Sequence, residues 1–285
     1  MLASNSANET MDFLKSVDVK KYGIAKSLKL LREHSLDDFG KLIWSLPSTD
    51  LPHLSSILPS MAPDQVQINW TGSAGAPLLA QSNHFMKWMT ARWEKHAGRP
   101  FKNVSTLDFG CGWGRLMRMQ LYYNDPKYVY GCDAWEGSLK FSRDHNVLGE
   151  LKKSDIIPET LPFENQMDCI YAYSIFTHTS ERATKACLSA IRKTLKPDGL
   201  AFITIRPHQF WKYIAARRDV GDVADLEMRH ANDEFVHVTT AAAEYGESSF
   251  SLEYFRREMP EWEILEDVIF PVDSQQTYLV IRPRS

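Results

Sequence analysis

Apolar residues change their rhythm near residue 100. In the first hundred positions Leu36, Phe39, Leu42, Ile43 and Leu46 recur at helical spacing, and Pro47 closes that run. Pro52, Pro59 and Pro63 mark a turning segment, followed by Asn69-Trp70-Thr71-Gly72-Ser73-Ala74-Gly75. A second amphipathic run, from Phe85 to Trp93, ends at Gly98 and Pro100. No alternating strand pattern occurs there, so residues 1–100 read as a helical N-terminal cap region whose apolar faces need a partner.

From Val104 onward short apolar runs alternate with helical stripes. Strands are expected at Leu107-Asp108-Phe109, Lys127 to Asp133, Leu151 to Ile157, Met167 to Tyr173 and Leu200 to Ile205. The helix after the first strand stops at Asn124-Asp125-Pro126, and Ala183, Ala186, Cys187, Ala190 and Ile191 form a stripe ending at the turn Lys196-Pro197-Asp198-Gly199. Trp262 to Ile269 and Thr277 to Ile281 are close enough in sequence to pair antiparallel. This is the grammar of an α/β fold: a Rossmann-like, mainly parallel seven-stranded sheet with helices on both faces and a C-terminal antiparallel hairpin. Residues 101–285 form that domain, with an insertion at about 207–255 overhanging the edge where ligands bind.

The densest signal is Asp108-Phe109-Gly110-Cys111-Gly112-Trp113-Gly114-Arg115, a buried strand breaking through glycines into a helix. Such a turn lets backbone approach a ligand closely and aims helix amides at it. A dinucleotide turn wants G-x-G-x-x-G. Here the glycines fall at G-x-G-x-G, and Arg115 stands where the third dinucleotide glycine belongs.

This D-x-G-C-G-x-G-R run resembles the first motif of class I S-adenosylmethionine-dependent methyltransferases, and the resemblance extends over roughly residues 85–282. It implies S-adenosylmethionine as cofactor, with Asp108 near its ammonium group and Gly110, Cys111, Gly112, Gly114 and Arg115 around its methionine portion. Asp133 ends the second strand, where a carboxylate can accept both ribose hydroxyls, with Ala134 and Trp135 beside it; Trp135 can cover one adenine face. Asp155 is placed to accept from the adenine amino group and the Ile156 amide to donate to the ring. Ser174 lies where the fourth strand reaches the active-site mouth. Asn69 to Ser73 is expected to fold over the methionine end of the cofactor.

Composition narrows the acceptor. With 33 basic and 36 acidic side chains the formal net charge is -3, and no basic stripe appears, so nucleic acid is not expected as a partner. No run approaches eighteen apolar residues and Met1 to Asn5 carries no secretory pattern, so no membrane association and a cytoplasmic location are expected. Cys111, Cys132, Cys169 and Cys187 have no C-x-x-C spacing and read as buried reduced thiols. A small-molecule or sugar-like acceptor, methylated on oxygen or nitrogen, follows; oligomeric state is not legible.

Methyl transfer needs alignment and exclusion of water, plus a base where the acceptor is a hydroxyl or protonated amine. His178, just past the fourth strand, is the candidate catalytic base. His208, Tyr245, Tyr254 and Phe255 are weaker candidates for the acceptor pocket. His230, Asp233, Glu234 and His237 would share a face if helical, but Val236, Val238, Thr239 and Thr240 favour extended structure, so a charged loop and no metal site are expected. Two other readings share the glycine turn: an NAD-dependent oxidoreductase, disfavoured by the missing third glycine, and a catalytically silent binding module.

Overall fold

The computed structural model describes residues 2–284; Met1, part of the segment read for a secretory pattern, and Ser285 lie outside the described residues. Six helices come first: α1 (Leu2–Val19), α2 (Ile24–Leu31), α3 (Leu36–Ser45), α4 (Pro52–Ile57), α5 (Asp64–Thr71) and α6 (Gly75–Ala97). Local signals set their ends. Ser35 caps α3 by accepting from Asp38 N–H, and Gly98 ends α6 in the left-handed region.

The alternating part runs β1 (Thr106–Phe109), α7 (Arg115–Gln120), β2 (Val129–Asp133), α8 (Glu136–Asp144), β3 (Glu150–Lys153), β4 (Met167–Ala172), α9 (Glu181–Thr194) and β5 (Leu195–Ile205). The insertion then supplies α10 (Phe210–Ala215), α11 (Val223–Ala231), a two-stranded sheet of β6 (Val236–Ala242) and β7 (Tyr245–Ser249), and α12 (Leu252–Glu258). The chain finishes with β8 (Trp262–Ile269) and β9 (Thr277–Pro283).

Seven strands form one sheet in the order β3-β2-β1-β4-β5-β9-β8. All pairs from β3 to β5 are parallel, and β9 runs antiparallel between β5 and β8. The expected sheet and hairpin are therefore present. Side chains of β4 show why it is apolar from Cys169 onward: Cys169 and Tyr171, with Tyr173 just beyond the strand, pack with Phe85, Trp88, Met89 and Trp93, whereas Ile170 and Ala172 pack with Cys187, Leu188 and Ile191 of α9. Truncating a fully buried aromatic such as Trp93 to alanine would cost about 3–5 kcal/mol. The N-terminal helices share a second core with Cys111, Met117, Val129 and Leu139.

Three local expectations are corrected. The third strand ends at Lys153 and not at Ile157, because beyond Ser154, whose N–H donates to Asp133 O at 3.0 Å, the chain leaves the sheet edge. Lys196-Pro197-Asp198-Gly199 lies inside β5: Leu195 already pairs with Met167, and a register shift carries the chain past the proline before Leu200 meets Cys169. Finally, His230 ends a helix and His237 lies on a strand, with Asp233 at φ 58° between them. They do not share a helical face, nor is His230 solvated; it is buried, its Nδ1 2.8 Å from Ser249 Oγ. Among the described residues no helix is long and apolar enough to cross a membrane, and no three His, Cys, Asp or Glu side chains gather as metal ligands.

Candidate active site

The turn leaving β1 is held by the neighbouring strand: Gly110 and Cys111 N–H both donate to Cys132 O, at 2.8 and 2.9 Å. Gly110 adopts φ 76°, and a Cβ there would sit 2.1 Å from Ile175 Cδ1. Gly112, at φ 53°, lies beneath the Trp70 ring, 3.1 Å from where its Cβ would be. Glycine is thus required by conformation and by space. Gly114 opens α7, from which Arg118 turns inward. Its guanidinium is buried and donates to Trp113 O at 2.5 Å and to Ser60 O at 2.7 Å, fastening the turn to the N-terminal region; burial pushes its pKa down to about 9.

Asp108 is buried below the turn. Loss of water pushes its carboxyl up to about 8, against the opposing pull of the Tyr171 hydroxyl and the Arg115 guanidinium. Arg115 donates to Gln81 Oε1 at 2.8 Å and lies over the Tyr173 ring, 5.0 Å from its centroid. Asp133 accepts from Gly112 N–H at 2.9 Å through Oδ2 and from Trp135 N–H at 2.8 Å through Oδ1. Burial raises its carboxyl, and these two donors with Ser138 draw it back. The four cysteines are buried and form no disulfide; burial pushes Cys187 up to about 12 and the Cys111 thiol well above its ordinary value.

On the next side of the cleft Ala134 is half-buried, and Trp135 is 60% exposed with its indole stacked on Trp70, ring centroids 4.9 Å apart. Asp155 and Ile156 are exposed just past β3, where the Ile156 carbonyl accepts from Cys187 Sγ at 3.7 Å.

Ser174 takes the left-handed conformation at φ 59° as the chain leaves β4. Its N–H donates to Thr204 Oγ1 at 2.8 Å and its hydroxyl to Gln276 Oε1 at 2.9 Å. Beside it Tyr173 and Tyr278 both donate to Asp273 Oδ2, at 2.5 and 2.6 Å. Four residues on, His178 Nδ1 lies 2.8 Å from Gly246 O. A carbonyl only accepts, so Nδ1 carries the proton and Nε2 keeps its lone pair. Burial, followed by the Arg206 and Arg218 cations, pushes His178 down to about 4, so it is neutral near pH 7. Glu247 supplies the countercharge: it pairs with Arg218 and lies 3.8 Å from Arg206 and 3.6 Å from His178. Tyr245 stacks on His178, and the charges of Glu247, Arg218, Arg206 and Asp133 all act on its hydroxyl. The inserted hairpin therefore packs over His178 at the end of β4.

His208 is exposed, its ring 6.0 Å from His230, whereas Tyr254 and Phe255 are buried in the core. Sequence reasoning missed Gln81, Thr204, Arg206, Arg218, Glu247, Asp273 and Gln276. Only Gln275-Gln276, a polar pair just before the apolar run of β9, carried a local signal.

Comparisons with known proteins agree with this geometry. Residues 106–199 match the family described as a methyltransferase domain. O-methyltransferase 3 of Dictyostelium discoideum is 25% identical over 137 residues, covering 44% of this chain and 31% of that protein, so the matched region spans about a third of the relative's length. Among solved structures, magnesium protoporphyrin IX methyltransferase from Synechocystis PCC 6803 with bound SAH superposes with a TM-score of 0.52 at 10% identity, covering 77% of this chain and 94% of that one. The PH0226 protein of Pyrococcus horikoshii OT3 gives a TM-score of 0.51 at 14% identity, covering 70% and 91%. These likenesses establish the fold. The family match over residues 106–199, the sheet order and the glycine turn together support a class I S-adenosylmethionine-dependent methyltransferase domain.

Proposed function

We propose that this chain moves a methyl group from S-adenosylmethionine to an oxygen or nitrogen of a small-molecule or sugar-like acceptor, with a cytoplasmic location. The observation that carries the reading is Asp133, whose two oxygens each take one backbone N–H from the glycine turn and the following loop. A carboxylate offers about four lone-pair sites, so room remains for two ribose hydroxyls. The residues present fit the cofactor: a glycine cradle beside a buried acid, a ribose acid, and an exposed indole with Asp155 and Ile156 for an adenine.

The cofactor, when bound, supplies a methyl group already activated on a sulfonium. The chain does the rest. Asp108 with Gly110, Cys111, Gly112, Gly114 and Arg115 holds the amino-acid end; Asp133, Ala134 and Trp135 hold the ribose and one face of the base. Ser174, pinned to Thr204 and Gln276, shapes the mouth. His178 faces the acceptor with Nε2 free to take its proton. A base with a pKa near 4 is weak, but a hydroxyl oxygen gaining a methyl group becomes strongly acidic, so for an oxygen acceptor a neutral imidazole held in place suffices. The inserted hairpin excludes water. Of the relatives named above, one is named for a porphyrin and another for O-methylation, which supports a small acceptor, as does the formal charge of -3.

Isothermal titration with S-adenosylhomocysteine tests the reading. Wild type should bind, and Asp133→Ala should weaken binding at least about tenfold, the worth of a charge-assisted hydrogen bond pair. Undiminished binding in Asp133→Ala would sink the ribose assignment, and no binding by wild type would sink the reading.

A further inference from the structure

Two large apolar side chains at the cleft stand out because they are stacked on each other while facing solvent. Trp70 is 37% exposed and Trp135 60% exposed, their rings 4.9 Å apart and 24° from coplanar. They come from opposite sides. Trp135 follows the ribose acid and lies flat over Gly137, where a Cβ would meet its ring at 2.7 Å. Trp70 belongs to α5 and rests on Gly112, the residue whose N–H is fixed by Asp133. Its seat is thus the edge of the cradle that a ligand of Gly112 and Asp133 must reach.

The helix carrying Trp70 is built to move. Its one fully buried residue is Gln67, a polar side chain, and its one apolar anchor is the half-buried Val66 against Ala62, Leu78 and Trp113, while Ile68 and Trp70 are exposed. Gln67 instead pins the base of the segment: Nε2 donates to Ala62 O at 2.7 Å, and Oε1 accepts from Gly75 N–H at 3.1 Å. The segment leaves α5 through Gly72 at φ 73° and enters α6 through Gly75 at φ 61°, both with open space where a Cβ would stand. A short helix tied at its base by Val66 and Gln67 and bounded by two left-handed glycines can swing its outer face with little loss of packing. Exposed apolar rings beside a polar cleft are surfaces that gain by covering a ligand.

We propose that Trp70 is a latch on the cofactor cleft. In the structure it closes on Trp135 and Gly112; it leaves that seat to admit the cofactor and returns across it afterwards, making Trp70 a positioning residue supplied by the N-terminal region. The proposal rests on the cofactor reading above. Its signature is kinetic: a latch slows admission and escape together, so removing it changes rates more than affinity.

The test is rapid-mixing binding and release of tritiated S-adenosylhomocysteine, with tryptophan fluorescence and titration calorimetry alongside. Trp70→Ala should bind and release the ligand about tenfold faster, the scale of losing an aromatic stacking partner, with a smaller change in affinity. Trp70→Phe keeps a ring without the indole; it should keep affinity within about threefold and lose most of the fluorescence change. Wild-type rates in Trp70→Ala, or a full fluorescence change in Trp70→Phe, with binding intact in calorimetry, would overturn the latch alone. No binding by wild type would overturn the cofactor reading and the latch with it.

Discussion

The imidazole of His178 and the phenol ring of Tyr245 lie face to face, centroids 5.4 Å apart and 13° from coplanar. This contact joins the end of β4 to the inserted hairpin, and the hairpin's Gly246 carbonyl fixes the tautomer. His178→Gln should therefore lower methyl transfer about 100-fold while leaving S-adenosylhomocysteine affinity unchanged. Turnover measured as S-adenosylhomocysteine release, with any accepted substrate, checks this. Full turnover by the variant would remove the base from the mechanism.

Asp108, pushed up to about 8 by burial, is mostly protonated at pH 7. A cation bound beside it lowers that pKa, so cofactor binding should release a proton and tighten as pH rises from about 6 to 8. Titration calorimetry in buffers of different ionisation enthalpy reads the proton directly. Heats independent of buffer would place the ammonium elsewhere.

His178 and His230 are both held near a pKa of about 4, mainly by burial, against an ordinary value of 6.5. Above pH 6.5 both states of the chain hold these rings neutral. Below it the unfolded chain takes up protons that the folded chain refuses, so stability should fall as pH drops from 6.5 toward 4. The loss is on the order of 2–3 kcal/mol per ring. Urea melts across that range should show the slope, and His230→Gln should flatten it.

Gly110→Ala combines a left-handed backbone with a collision against Ile175 Cδ1. The variant should lose about 2–4 kcal/mol of stability and most cofactor affinity. Adding Ile175→Ala should recover the steric part and leave about 1–2 kcal/mol from φ. A double-mutant cycle in urea melts that shows no coupling would mean the turn relaxes away from Ile175.

Legibility in the sequence followed the distance over which each feature is determined. The strands, the helix endings at Pro47 and Gly98 and the antiparallel finish were readable, because burial period and turn chemistry act within a few residues. The glycine turn, Asp108 and Asp133 were readable as a chain-local pattern. What was not readable comes from long-range pairing. Glu247 meets His178 only because β7 crosses the mouth, and Gln276 meets Ser174 only because β9 inserts beside β5. The ordinary histidine value is no guide to His178 either, since burial, followed by the Arg206 and Arg218 cations, pushes it down.

Arg118 gives the N-terminal helices a meaning beyond shelter. Its guanidinium spends one donor on the Trp113 carbonyl and two on Ser60, so the shape of the glycine loop is partly written fifty-odd residues upstream of it. A fragment begun at residue 101 would keep every motif that marks the cofactor turn, yet strand a cation whose acceptor had been cut away. Transplanting the motif into another scaffold would meet the same difficulty. Here the portable unit is larger than the signature that announces it.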